Sequence, residues 1–167
     1  CYELASESEN FDEYFQMIKD RYNNIIADLG LKDFSLDEDF EIIKGAFAHM
    51  AGRDYAASRG EYLNSKVLAK YLGFDFIDAG KYIFFDDQGN FDWTKTEAKL
   101  APKLAKTNKA VIPGFYGSMP NGTIKTFSRG GSDVTGSIVA RATKAKLYEN
   151  WTDVSGCLIC DPRIVNN

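Results

Sequence analysis

The sequence predicts an α/β fold: a three-layer αβα sandwich with a mostly parallel sheet, preceded by a helical hairpin. Three observations carry that reading. Up to residue 57, apolar residues recur every three or four positions, the spacing of a helix face. From residue 58, short apolar runs alternate with helical patterns, as in sheets covered by helices. Glycine clusters fall where those runs end, the edge at which such folds hold ligands. With 167 residues, 44% of them hydrophobic and 14% aromatic, the chain has material for a real core.

The elements follow in order. From Phe11, the stripe Phe15, Ile18, Tyr22, Ile25 and Leu29 predicts a helix that Gly30 stops. A second stripe, Leu36, Phe40, Ile43, Phe47 and Met50, follows a short polar link in which Ser35 or Asp37 supplies the cap. His49 lies on that stripe's flank and reads as a structural or surface residue. S-R-G-E at 58–61 has the form of a capping box, so a third helix is expected to start there. Its buried side would be Leu63, Val67, Leu68, Tyr71 and Leu72, and Gly73 would end it. Residues 74–79 alternate like a strand, and 82–91 read as a hairpin or irregular excursion around Gln88, Gly89 and Asn90. A helix from 94 to about 106 is expected despite Pro102, because its lysines recur at helical spacing. Residues 109–115 read as a buried strand, S-M-P-N-G as a turn into 123–127. A helix after Ser132 would bury Val134, Ile138, Ala142 and Ala145, and 147–151 would leave it as a strand.

Composition narrows the function. A formal net charge of −4 argues against a large nucleic-acid surface, which needs clustered cations. No apolar run approaches the roughly 20 residues of a membrane helix. Cys1, Cys157 and Cys160 are too few and too clustered for a disulfide framework, so a cytoplasmic setting is expected, and the C-L-I-C pair reads as inert buried thiols. A single histidine leaves little for a histidine metal site or a Ser-His-Asp triad. Neither a G-x-x-x-x-G-K-[ST] phosphate loop nor a G-x-G-x-x-G fingerprint is present.

What remains is F-S-R-G-G-S-D at a helix mouth. Gly114, Gly117, Gly130 and Gly131 would let backbone amides reach a ligand, and the helix start adds partial positive charge for an anion. Arg129 can hold a carboxylate with two parallel hydrogen bonds. The competing reading is a tight loop with Ser132 or Asp133 as helix cap, which leaves Arg129 unexplained.

These segments resemble the amino-acid kinases, and within them the aspartokinases. The resemblance rests on S-R-G-E at 58–61, G-F-Y-G at 114–117, S-R-G-G-S-D at 128–133, and W-T-D-V-S-G followed by D-P-R across 151–163, in the family's order. S-R-G-E together with R-G-G-S-D favours aspartokinases over acetylglutamate or uridylate kinases. The resemblance implies transfer of the ATP γ-phosphoryl group, with Mg²⁺, to the side-chain carboxylate of L-aspartate, the step that opens lysine, threonine and methionine synthesis. It implies that Arg129 and Ser132, with Gly130 and Gly131, hold the aspartate carboxylate, that Glu61 pairs with its ammonium group, and that Asp133 organises the catalytic lysines. Thr152 and Asp153 would contact the nucleotide and Arg163 its phosphates, while Leu158 stands where the family often has tyrosine against the nucleotide. A homo-oligomeric parent is implied as well.

Each role has a plainer competitor. Glu61 could serve only the capping box, Asp153 could only initiate a turn, and Asp161 with Arg163 could be a surface ion pair. The lysines at 95, 99, 103, 106 and 109 read as a solvated helix face. The family's opening K-F-G-G-[ST]-S segment is missing from the sequence, and its later lysine and ACT regulatory domains would lie beyond Asn167. The resemblance therefore implies a central segment of the catalytic domain, with little or no activity alone. A noncatalytic module of the same fold, or a sister kinase with another acceptor, are the alternatives.

Overall fold

The first-third stripes close on each other in the computed structural model, which describes residues 1–7 and 10–151. A short helix α1 (Tyr2–Ser6) precedes α2 (Asp12–Asp28) and α3 (Asp37–Ala48). Phe15 meets Phe40 and Phe47 edge-on, and Tyr22 meets Phe40. On the rim Asp12 pairs with Lys44 and Lys19 with Glu41. Partners rise in number on α2 as they fall on α3, so the two helices form an antiparallel hairpin as expected. The Ser35 hydroxyl accepts the Asp37 amide at 3.0 Å, but Leu36 is the N-cap of α3 and no side chain caps it, so the expected Ser35 or Asp37 cap is corrected. Leu63 and Val67 of the next helix complete this core.

That next helix corrects the expected capping box. α4 runs Arg53–Leu72, from Gly52 at φ +99° to Gly73 at φ +67°. Its ladder is under way by Ala56, whose amide bonds to the Gly52 carbonyl, so the amides at 58–61 need no cap. Ser58 Oγ instead donates to the Tyr55 carbonyl at 2.7 Å inside the helix. The buried side also differs: Leu63 and Val67 are buried, but Leu68, Tyr71 and Leu72 are exposed. Ser58, Arg59, Ser65 and Ala69 are buried in their place. α4 lies between the hairpin and the strands and so buries two faces. Small residues permit the closer approach there, and an apolar stripe is not needed on both.

β1 (Asp75–Phe76) pairs in parallel with β2 (Ala110–Val111), each only the second and third residues of the run expected as a strand. Between them come α5 (Ala79–Tyr82), capped by Asp78, and α6 (Trp93–Leu104), capped by Asp92 and containing Pro102. The excursion before α6 is a hairpin: Phe85 bridges Phe91 antiparallel, and Asp86 accepts the Asn90 amide around Gly89 at φ +80°. β3 (Tyr116–Ser118) and β4 (Ile124–Thr126) form an antiparallel hairpin through S-M-P-N-G, and Ser118 bridges in parallel to Phe84. α7 (Gly131–Thr143) follows. It buries Ile138 with Gly131 and Thr135, whereas Val134, in its first turn, and Ala145, beyond its end, are exposed. Residues 147–150 are not a strand. Ile83, Leu100, Tyr116 and Ile138 make the second core. Among the described residues no helix is long and apolar enough to cross a membrane.

Polar ties join the halves. Asp39, buried on α3, accepts Tyr62 Oη at 2.9 Å and Lys66 Nζ at 2.6 Å from α4. Asp78 accepts Tyr116 Oη at 2.8 Å. Burial first, and then these carboxylates, push the Tyr62 and Tyr116 hydroxyls well above their ordinary value of 10.0. An unfolded tyrosine loses its proton first, so above about pH 10 the folded state binds more protons and stability falls as pH rises. We expect denaturant midpoints that are flat below pH 9 with respect to these groups and decline above pH 10. Tyr62→Phe should lessen that decline; an unchanged slope would contradict the assignment.

Candidate substrate site at the start of the last helix

The chain leaves β2 through buried Pro113 and Gly114 and turns at Phe115, which holds φ +60°. A bulky residue in this left-handed region is strained by about 1–3 kcal/mol and persists only where its surroundings fix it. Thr135 fixes it. Its hydroxyl accepts the Phe115 amide at 3.0 Å and donates to the Gly131 carbonyl at 2.8 Å, while the Phe115 carbonyl accepts the Phe127 amide. One threonine thus locks the 114–115 turn onto the first turn of α7.

The glycines are explained mainly by close packing rather than by an open approach for ligand. A Cβ on Gly131 would lie 2.5 Å from Phe115 Cβ and 2.8 Å from its Cα. On Gly114 it would lie 2.9 Å from Ser132 Oγ, and on Gly117 2.5 Å from the Ile83 carbonyl oxygen. Gly130 alone of the four needs its conformational freedom, at φ +56°. Gly131→Ala should therefore cost about 2 kcal/mol by forcing α7 off the turn. Chemical denaturation reads it, and a loss under about 0.5 kcal/mol would show that the junction yields freely.

Gly130 is also the N-cap of α7, and no side chain caps that helix. The competing reading, with Ser132 or Asp133 as cap, does not hold. The amides of the first turn thus face outward beside the partial positive charge of the helix start. Ser132, Glu61 and Gly114 line one cavity of about 470 Å³, closed further by Thr135, Gly136 and Tyr148. Glu61 is half-buried there. Its charge, after burial, raises the pKa of Tyr22, whose hydroxyl donates to the Gly60 carbonyl at 2.9 Å.

Asp133, one step around α7 from Ser132, lies on the other flank. It lines a cavity of about 360 Å³ with Trp93 and Arg141, and its Oδ1 accepts Asn150 Nδ2 at 3.2 Å. Arg129 is exposed directly before the N-cap, and no ion pair reaches it among the described residues. Glu61 and Ser132 thus share a cavity with the helix entrance; Asp133 and Arg129 border the entrance without lining that cavity. Thr152, Asp153, Leu158 and Arg163 lie outside the described residues, as do Cys157 and Cys160. Thr135 and Phe115 were not singled out from the sequence, because neither letter differs from an ordinary packing residue.

A carboxylate and a hydroxyl on one cavity beside an uncapped helix start suit a ligand carrying both an ammonium and a carboxylate group. Residues 14–167 match the model of the amino acid kinase family. The chain belongs to the amino acid kinase family. Its relatives within that family are aspartokinases. Aspartokinase 3 of Bacillus subtilis is 30% identical over 181 aligned positions, spanning the whole chain and 40% of that protein. A crystal structure of Clostridium acetobutylicum aspartate kinase, described as an allosteric enzyme, superimposes with a TM-score of 0.89 at 53% identity, covering all of this chain and 38% of that one. Escherichia coli aspartokinase III, solved with aspartate and ADP, gives a TM-score of 0.70 at 25% identity over 92% of this chain and 39% of that one. The chain thus spans about two fifths of the length of these relatives. The likeness also establishes the fold class: this is an incomplete amino-acid kinase sandwich.

Proposed function

We propose that the protein containing this chain is an aspartate kinase, transferring the γ-phosphoryl group of ATP to the side-chain carboxylate of L-aspartate to give 4-phospho-L-aspartate. The observation that carries the reading is Glu61 and Ser132 on one cavity at the uncapped entrance of α7. Glu61 takes the substrate ammonium. Ser132 and the first-turn amides take a carboxylate, with Arg129 beside them as the cation. Asp133 at the helix start orders the charged groups around the transferring phosphate. A carboxylate oxygen forms the new bond to the γ-phosphorus, the bond from that phosphorus to the β–γ bridging oxygen breaks, and ADP leaves with the electron pair. Holding two anions together relies on cations and amides rather than on a covalent nucleophile.

Thr152, Asp153, Leu158 and Arg163 would hold the nucleotide in this reading, and Mg²⁺ brought with it would supply neutralising charge for its phosphates. Among the described residues no group of three His, Cys, Asp or Glu side chains is placed to hold a metal ion. A cytoplasmic setting, where ATP and free aspartate meet, and a place at the head of lysine, threonine and methionine synthesis belong to the same proposal.

The full-length protein given ATP, Mg²⁺ and L-aspartate should form an acyl phosphate that hydroxylamine traps as a hydroxamate. ADP release without hydroxamate, or faster turnover with another acceptor, would overturn the reading. Asp133→Ala should lower turnover by about tenfold or more while changing the aspartate KM less than about threefold. A pure KM effect would instead make Asp133 a substrate-binding residue.

A further inference from the structure

Arg59 is only 8% exposed, yet no ion pair reaches it among the described residues. Its guanidinium sits 4.4 Å from the Tyr55 ring centre, 4.6 Å from that of Tyr62 and 5.4 Å from that of Tyr116. Nε and Nη2 donate to Ser58 Oγ at 3.1 and 2.9 Å, and Nε also reaches the Tyr55 carbonyl. Nη1 has no partner among the described residues. No buried side-chain nitrogen or oxygen among them is left unpaired, so Nη1 must reach open space.

That space is a cavity of about 510 Å³ between α3, α4, α5 and the β3–β4 turn, lined by Tyr55, Arg59, Asp78, Lys81, Ile42 and Ile124 among others. Lys81 is exposed and free of ion pairs among the described residues. The Tyr55 hydroxyl lies against the Arg59 guanidinium, whose charge and hydrogen bond oppose the upward push of burial on its pKa. Asp78 commits Oδ1 to Tyr116 Oη at 2.8 Å and the Gly80 amide at 3.0 Å, and its Oδ2 takes no donor from the described residues. One buried fork and one exposed lysine thus line a cavity that holds a single carboxylate.

Asp78 shares the cavity without forming an ion pair with Arg59, and the three aromatic faces offset only part of the cost of burying that cation. The donors left over have the geometry of a carboxylate partner. Asp78 repels a dianion and attracts an ammonium. Residues two apart on a helix point to nearly opposite sides, so Arg59 and Glu61 serve separate cavities on the two flanks of α4. We propose that the Arg59 cavity is a second ligand site, distinct from the Glu61–Ser132 cavity, that takes a free α-amino acid with its carboxylate on Arg59 and Lys81 and its ammonium on Asp78.

Calorimetry on the full-length protein, with L-alanine and inorganic phosphate as probes, tests this. Saturable L-alanine binding is expected, weakened about tenfold or more by Lys81→Gln and by Arg59→Lys, and unchanged by Glu61→Gln. Lys81 is exposed, so its variant reports even if Arg59→Lys does not fold. Absence of binding, equal affinity in parent and Lys81→Gln, loss on Glu61→Gln, or phosphate binding tighter than L-alanine would each overturn the proposal.

Discussion

Arg129→Ala in the full-length protein is expected to raise the L-aspartate concentration for half-maximal rate by about 100-fold while changing turnover far less. Arg129 stands immediately before the left-handed Gly130, where the chain enters α7, and it is exposed with no ion pair among the described residues. A guanidinium in that position has its donors available for a substrate carboxylate. Losing a two-pronged charged contact costs about 2–3 kcal/mol, which is the stated factor in KM. Because that contact is made in ground and transition state alike, kcat should stay nearly constant. Initial rates across an aspartate series at saturating ATP read the split. A change under about threefold would remove Arg129 from the site, and a fall confined to kcat would assign it to the phosphoryl group instead.

Phe40→Ala is expected to lower the unfolding free energy by about 3–5 kcal/mol. The ring is fully buried and packs against Phe15 and Tyr22, with Lys19 Nζ 5.7 Å above its centre. Truncation would leave a void bounded by α2, α3 and α4, three elements that cannot all move inward. The same core holds Leu63 and Val67 of α4, the helix that carries Glu61. Loosening the hairpin should therefore also weaken aspartate binding, although Phe40 touches no part of the Glu61–Ser132 cavity. Denaturant unfolding measures the first effect; a loss below about 1 kcal/mol would mean that the hairpin core collapses around the gap.

The helical hairpin was legible because burial on one face leaves a periodic trace in the letters. α4 was not, since it packs on two sides. One of those sides is made of Ser58, Arg59, Ser65 and Ala69, which make no apolar stripe, and Ser58 reads as a cap. The runs at 74–79 and 109–115 were found in the right places but too long, since only Asp75–Phe76 and Ala110–Val111 of them make ladder pairs, while Pro113 and the turn at Phe115 end the second; the strand expected at 147–151 does not form over 147–150. The glycine clusters marked the α7 entrance correctly for a partly different reason, as Gly114 and Gly131 are small so that two backbones can touch. Such approach depends on what the fold brings opposite, which periodicity does not encode. The pairing of Glu61 with Ser132 followed from family likeness and not from spacing, whereas Thr135 was not legible at all, since its hydroxyl matters only once the Phe115 amide lies against it.

A crystal structure of the full-length protein with L-aspartate bound tests the central claim most directly. The expected result is aspartate at the entrance of α7, its ammonium group on Glu61 and a carboxylate on Ser132 and the first-turn amides, within reach of Arg129. Aspartate bound elsewhere, with Glu61 and Ser132 both free of contact to it, would contradict the account.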